Sequence, residues 1–312
     1  APEATLAEAQ ALMAANAISG IPVVEASGKL AGILTNRDVR FAENPAQPVS
    51  ELMTHENLAT VSASVTQEEA RRLLHQRRIE KLLVVDDGSS DDSVERIRTL
   101  QAKHGFDFVV QENKGLAATL NDCIARSHGS LIAPFGSDDI MCPERIAIQV
   151  AYLQGKPEVG ICAGNIQPID AKGAALPQRE RGRGLRRLDF EDLFCAKKVG
   201  APAPTLLFRR EALEAVGGFD PSIRLEDLLI ELKITRAGYF IDVLPDVLAQ
   251  YRVHETNTYK NRRMMVDAVL STYGHFADHP DYPKVCAAFI NSMLLKCARD
   301  DKPLARELLA QL

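Results

Sequence analysis

The chain has no tryptophan, so any stacking platform for a sugar or a base has to be built from its six tyrosines and eleven phenylalanines. Its six cysteines (Cys123, Cys142, Cys162, Cys195, Cys286 and Cys297) are scattered. There is no Cys-x-x-Cys and no pair of histidines at metal spacing, so neither a zinc site nor a disulfide framework is signalled, and reduced thiols in a cytoplasmic setting are expected. No apolar run approaches the roughly 20 residues of a membrane helix, and the N-terminus has no charged-then-apolar leader. A basic excess is also missing: the formal net charge of −5 argues against a nucleic-acid partner. Basic residues do cluster at Arg179-Glu180-Arg181-Gly182-Arg183-Gly184-Leu185-Arg186-Arg187 and at Lys260-Asn261-Arg262-Arg263. Each cluster reads either as a solvated surface or as a contact to phosphate or, peripherally, to a membrane surface.

What is present centres on Leu82-Leu83-Val84-Val85-Asp86-Asp87-Gly88-Ser89. To its left lies an internal repeat: Thr5–Gly28 aligns without gaps on Thr66–Ser89, with Glu8 over Glu69, Leu12 over Leu73 and Ile18 over Ile79. Each copy reads as helix, turn and buried strand. The first copy continues into a second strand, Leu30–Thr35, and a helix start at Asn36-Arg37-Asp38, whereas the second breaks off after Asp87. To the right, an apolar strand running into Asp-Asp-Gly-Ser and then Ser93-Val94-Glu95-Arg96-Ile97 reads as the strand-turn-helix unit of an α/β domain. Asp86, Asp87 and Asp91 suit ligand binding at a strand end, and equally suit turns and N-caps.

On Ile18-Ser19-Gly20-Ile21-Pro22-Val23-Val24, Gly32-Ile33-Leu34-Thr35-Asn36-Arg37-Asp38 and Val49-Ser50-Glu51-Leu52-Met53-Thr54, the left part resembles a pair of cystathionine-β-synthase-type (CBS) repeats. It is most similar to the regulatory insert of bacterial IMP dehydrogenases. The resemblance implies adenine- or guanine-nucleotide binding, with Thr35 and Asp38 on ribose and phosphate. The same two residues also suit a helix N-cap.

The right part resembles family-2 glycosyltransferases of the GT-A fold through four ordered blocks. These are Asn113-Lys114-Gly115-Leu116 with Asn121, Gly136-Ser137-Asp138-Asp139, Arg224-Leu225-Glu226-Asp227, and Tyr251-Arg252-Val253-His254. The resemblance implies a nucleotide-diphosphate sugar donor held near Asp86, Asp87, Asn113 and Gly115. It also implies Mn²⁺ or Mg²⁺ at Asp138, Asp139 and His254, and Asp227 as general base toward a hydroxyl of a glycan or lipid-linked acceptor. Hard oxygen ligands beside a diphosphate suit such an ion, and one carboxylate near the acceptor suits an inverting transfer. Gly136 stands where the family has the first aspartate of its Asp-x-Asp motif.

Three segments are therefore expected. Residues 1–83 form a CBS-type α/β repeat module, 84–263 a GT-A (Rossmann-like) mixed sheet flanked by helices, and 264–312 a C-terminal helical segment that packs on the domain or forms a homo-oligomer. The join falls inside a strand common to both families, as in a chimera. The family's first strand and base-contacting turn are replaced by Asn57–Val61 and Ser62-Ala63-Ser64, with a helix near Gln67–Gln76. Two functions stay open. One is an inverting, metal-dependent glycosyltransferase, and the other a folded hybrid without turnover that at most binds adenine or guanine nucleotides.

Overall fold

The structure, a computed structural model, describes residues 1–15, 20–35, 38–39, 42, 44–55, 82–177, 184–255 and 257–311. Ile18, Asn36, Arg37, the strand at 57–61, the turn at 62–64, the helix near 67–76, Ile79 and the basic residues 179–183 lie outside the described residues. The chain folds as two compact units, Ala1–Glu80 and Lys81–Leu312.

In the first unit, helix α1 (Leu6–Ala15) begins with a capping box. The Glu8 backbone N–H donates to the Thr5 hydroxyl, and the Glu8 carboxylate accepts the Thr5 backbone N–H at 2.8 Å. Strands β1 (Gly20–Val24) and β2 (Leu30–Thr35) pair antiparallel. Leu6, Ala9, Met13, Val23, Leu34, Val39 and Val49 form its core. Asp38 and Val39 sit in a turn. There the Asp38 carboxylate accepts both the backbone N–H and the hydroxyl of Thr35, each at 2.7 Å, and the Thr54 hydroxyl at 3.3 Å.

The second unit carries the mixed sheet flanked by helices that the sequence suggests. Strand β3 (Leu83–Asp86) leads through α2 (Ser93–His104) to β4 (Asp107–Val110), which pairs parallel to it. Next come α3 (Leu116–Arg126), β5 (Leu131–Ile132), β6 (Ile140–Met141), α4 (Arg145–Leu153), β7 (Val159–Ile169), β8 (Arg186–Leu188) and α5 (Phe190–Phe194). Strand β9 (Leu207–Arg209), α6 (Arg210–Ala215), α7 (Glu226–Arg236) and β10 (Phe240–Arg252) follow. The main sheet has the order β5-β9-β7-β10-β6, with β8 also paired to β10. Among the described residues no strand joins the β3–β4 pair to it. Strand β5 is short, Leu131–Ile132 alone, and its pairing is limited to two residues of β9.

The parallel β7–β10 pair is the backbone of the unit. β7 is buried along almost its whole length, the pattern of a strand covered on both faces. Asp242 of β10, fully buried, is held by the Arg187 guanidinium at 2.8 Å and the Tyr152 hydroxyl at 2.7 Å. Helices α8 (Arg262–Gly274), α9 (Tyr282–Cys297) and α10 (Lys302–Leu309) follow. Val266, Ile290, Met293, Cys297, Leu304 and Leu308 pack together there, while Leu295 and Leu309 face solvent.

Candidate active site

The β3–β4 pair brings Asp86, Asp87, Asn113 and Gly115 together. Gly88, with φ +86°, lets the turn after Asp87 approach so closely that a Cβ on it would lie 2.9 Å from the Asn113 backbone nitrogen. Asp87 accepts the Gln111 side-chain amide at 2.7 Å and the backbone N–H groups of Lys114 at 3.2 Å and Gly115 at 3.0 Å. It thereby closes the turn into α3. Burial works to raise its pKa, but these donors outweigh it and hold the carboxyl below its usual value. Asp86 accepts the backbone N–H groups of Gly88 and Ser89, and hydrogen bonding to Ser89 keeps its pKa low against burial. Both carboxylates thus serve the turn, which was one of the two roles open to them.

Asp138, Asp139 and His254 also converge. The antiparallel register of β10 on β6, with Ala249 opposite Met141 and Gln250 opposite Ile140, carries the end of β10 past the loop that precedes β6. Asp139 accepts the Arg252 backbone N–H at 2.8 Å, and the Arg252 guanidinium binds the carbonyls of Asp138, Asp170 and Ala171. His254 Nε2 lies 3.2 Å from Asp138 Oδ2 and 3.2 Å from Asn257 Nδ2. Burial, with the Asp138 charge adding to it, raises the Asp139 pKa, while the Arg252 N–H and charge oppose the rise. The three ligand groups do not form a closed set: among the described residues the trio with all ligand atoms within 4.8 Å is Glu191, Cys195 and Asp281. Two carboxylates and an imidazole at one end of a long strand nevertheless fit a hard divalent ion that completes its shell with phosphate and water. Gly136 has a structural reason here, since a Cβ on it would lie 2.9 Å from Asp138 Oδ1.

Asp227 stands in the first turn of α7, accepting the backbone N–H of Leu228 at 2.8 Å. Burial raises its pKa, with that N–H opposing. Glu226 beside it is pushed up to about 7 by burial, with the Asp227 charge adding to the rise. Burial pushes the Tyr251 hydroxyl up to about 12, and the charges of Asp139, Asp138 and Asp227 all act on it in the same direction.

Several residues around the site have a role that the motifs did not announce. Asn121 clasps the loop ahead of α7, donating to the Phe219 carbonyl at 2.8 Å and accepting the Phe219 N–H at 3.0 Å. Gly218, φ +73°, makes room for it. Arg145, fully buried, donates to Gln149 and to the Leu206 carbonyl, yet its Nη1 has no partner among the described residues. Burial lowers its pKa to about 10. Glu231, also buried, had one visible signal: it is the lone charge in Leu228-Leu229-Ile230-Glu231-Leu232.

Residues 63–217 match the model of glycosyl transferase family 2, and residues 1–44 match that of the CBS domain. The chain is chimera-like. Its CBS-like part is similar to the inosine-5'-monophosphate dehydrogenase of Rhizobium tropici, 60% identical over 86 residues, which are 27% of this chain and 17% of that protein. It is also similar to the enzyme of the same name from Streptococcus pyogenes, 40% identical over 116 residues, 36% of this chain and 24% of that protein. The chain therefore spans less than a quarter of the length of these curated relatives. Among solved structures it is similar to the mannosyltransferase PcManGT from Pyrobaculum calidifontis, in complex with GDP-Man and Mn²⁺, with TM-score 0.50 and 18% identity over 81% of this chain and 76% of that one. TarS of S. aureus gives TM-score 0.50 and 16% identity over 68% of this chain and 37% of that one. At these identities the likeness concerns the fold, and the fold of the glycosyltransferase-like part is GT-A. The family match begins at residue 63, just ahead of the second copy of the repeat at Thr66–Ser89, and so takes in that whole copy. No helix among the described residues is long and apolar enough to cross a membrane.

Proposed function

We propose that the chain is an inverting, metal-dependent glycosyltransferase that uses a nucleotide-diphosphate sugar. The observation that carries the reading is that Asp139 is held by the Arg252 N–H and Asp138 lies 3.2 Å from His254 at the end of β10, while Asp227 stands in the first turn of α7. Asp227 takes the proton of the acceptor hydroxyl as its oxygen attacks the anomeric carbon, and the anomeric C–O bond to the diphosphate breaks on the opposite face. The first turn of α7 is half-buried and shields that carboxylate in part from bulk water, and the helix N-terminus favours its charge. Asp138, Asp139 and His254 would hold Mn²⁺ or Mg²⁺, which when bound supplies charge neutralisation for the departing diphosphate. Asn113 and Gly115 form the turn beside the nucleoside.

A second reading, a folded hybrid without turnover, draws on the β3–β4 pair. Asp86 and Asp87 are occupied by their own turn, and among the described residues no strand links that pair to the main sheet. Calorimetric titration with UDP, GDP, dTDP and ATP, each with and without Mn²⁺, separates the two. Manganese-dependent binding of a nucleoside diphosphate supports the transferase. Metal-independent ATP binding alone supports a nucleotide site at Thr35 and Asp38, and no binding of any kind overturns the transferase and leaves a folded hybrid with no donor to act on.

A further inference from the structure

The basic stretch Lys260-Asn261-Arg262-Arg263, open in the sequence between a solvated face and a phosphate contact, has its two arginines matched by acids. Arg262 pairs with Asp300, and Arg263 donates to the two Glu307 carboxylate oxygens at 2.6 and 2.9 Å. These pairs tie the start of α8 to the segment after α9 and to α10. Asn261 caps α8, its side-chain oxygen accepting the Met264 N–H at 3.1 Å. This end of α8 forms one wall of a cleft of about 430 Å³, and the loop from Ser222 to Arg224 forms the other. Its size falls in the range of small-molecule sites, roughly 300–1,000 Å³. Met264, Asp267, Ala268 and Ser271 line the α8 wall at the i, i+3, i+4, i+7 spacing of one helix face. The Arg224 guanidinium, the Asp267 carboxylate and the Ser271 hydroxyl have no hydrogen-bond or ion-pair partner among the described residues.

The uncommitted groups select a ligand by charge. Glu307 matches Arg263, so Arg224 and Asp267 are the charges left to the cleft, and they cancel. An anion would gain from Arg224 and be repelled by Asp267, and a cation would meet the reverse. A hydroxyl both donates and accepts, so a neutral diol can accept from the guanidinium and donate to the carboxylate at once. Met264 and Ala268 give the C–H face of a ring an apolar wall. Arg224 precedes Asp227 by three residues, which sets their Cα atoms at most about 11 Å apart. We propose that this cleft is a subsite for a neutral glycan acceptor. One sugar ring rests there with vicinal hydroxyls on Arg224 and Asp267, and the next ring of the chain carries the hydroxyl that reacts. The inference rests on the reading of Asp227 as the residue that faces the acceptor, and it makes that acceptor an uncharged carbohydrate chain. The ring in the cleft is held and undergoes no chemistry. On the next ring the hydroxyl oxygen bonds to the anomeric carbon, the anomeric C–O bond to the diphosphate breaks, and the hydroxyl proton passes to Asp227.

The test is saturation-transfer NMR on the whole chain at neutral pH, without donor or metal. The neutral probes are the α- and β-methyl glycosides of glucose, galactose and mannose, and the charged ones are glucose 6-phosphate and glucosamine. The expected result is a signal from at least one neutral glycoside that exceeds both charged probes and persists in added salt, because no net charge drives it. Arg224→Gln and Asp267→Asn, both at solvent-exposed positions, should keep the parent's melting temperature. Each should weaken the glycoside's affinity roughly tenfold, the loss of a hydrogen bond to a charged group. If Arg224→Gln does not fold, Asp267→Asn alone is read by the same criterion. Silence from all six glycosides, a stronger signal from a charged probe, or unchanged affinity in a folded variant each overturns the proposal. Failure of the transferase reading appears separately, as absence of manganese-dependent diphosphate binding by the parent chain.

Discussion

The loop at Asp138–Asp139 and the first turn of α7 are both acidic, and they are built in opposite ways. In the loop the acids are engaged: Asp139 accepts the Arg252 N–H and Asp138 faces His254. In α7 Glu226 and Asp227 are half-buried, Glu231 is buried, and one backbone N–H, that of Leu228, is donated to Asp227. Burial raises the pKa of Asp139 as it does that of Asp227, but at Asp139 both the Arg252 N–H and the Arg252 charge oppose the rise, whereas at Asp227 backbone N–H groups alone oppose it. The difference between the two groups lies in their surroundings, since both are built from the same residue types.

The sharpest way to break the comparison is Asp227→Asn. Transfer should fall by roughly 10²–10⁴-fold, the usual span for removing a general base, while manganese-dependent diphosphate binding stays. Loss of donor binding in that variant would mean that the two acidic groups are not functionally separate. Asp138→Asn or His254→Ala should do the converse and weaken metal-dependent diphosphate binding by roughly tenfold or more, as followed by calorimetry. Gly136→Asp, which restores an acid to the loop, is expected to weaken that binding several-fold. Its Cβ would sit 2.9 Å from Asp138 Oδ1, so Asp138 has to move. Tighter metal binding in this variant would contradict the arrangement of the loop.

The smallest expected effect is on stability. Glu226 has its folded-state pKa raised to about 7 from 4.5, so the protonated form is favoured in the fold. Its contribution is fully present below about pH 4.5 and is lost as pH rises through 7. Glu226→Gln should match the parent near pH 4 and exceed it by about 1–3 kcal/mol at pH 8 in urea unfolding. Parallel stability curves across that range would show that Glu226 is better solvated than its position suggests.

Much of this was legible in the chain. The helix-turn-strand order of the first repeat, the Asp-Asp-Gly-Ser turn and the convergence of Asp138 with His254 all follow local patterns or ordered blocks. Other features do not. That Asp87 is used up by the Asn113–Gly115 turn depends on a parallel pairing of β3 and β4, and no local spacing states which donors a carboxylate will meet. Leu295 carries the same apolar signature as Met293 but points to solvent, because the two lie on different faces of α9 and only packing selects between them. Glu231 was visible as a lone charge among leucines, yet its lack of a cation could be learned only from what packs around α7.

The contact between Asp139 and Arg252 links residues 113 positions apart, and Asp138 and His254 are 116 apart. During synthesis at about 5–20 residues per second, the loop carrying both aspartates leaves the ribosome on the order of ten seconds before its partners exist. Through that interval the acidic loop has neither the β10 strand end nor the histidine to hold it, so the β7–β10 pairing sets the time at which this half of the site can first bind anything. A substitution that delays that pairing would lengthen the interval without touching a single site residue.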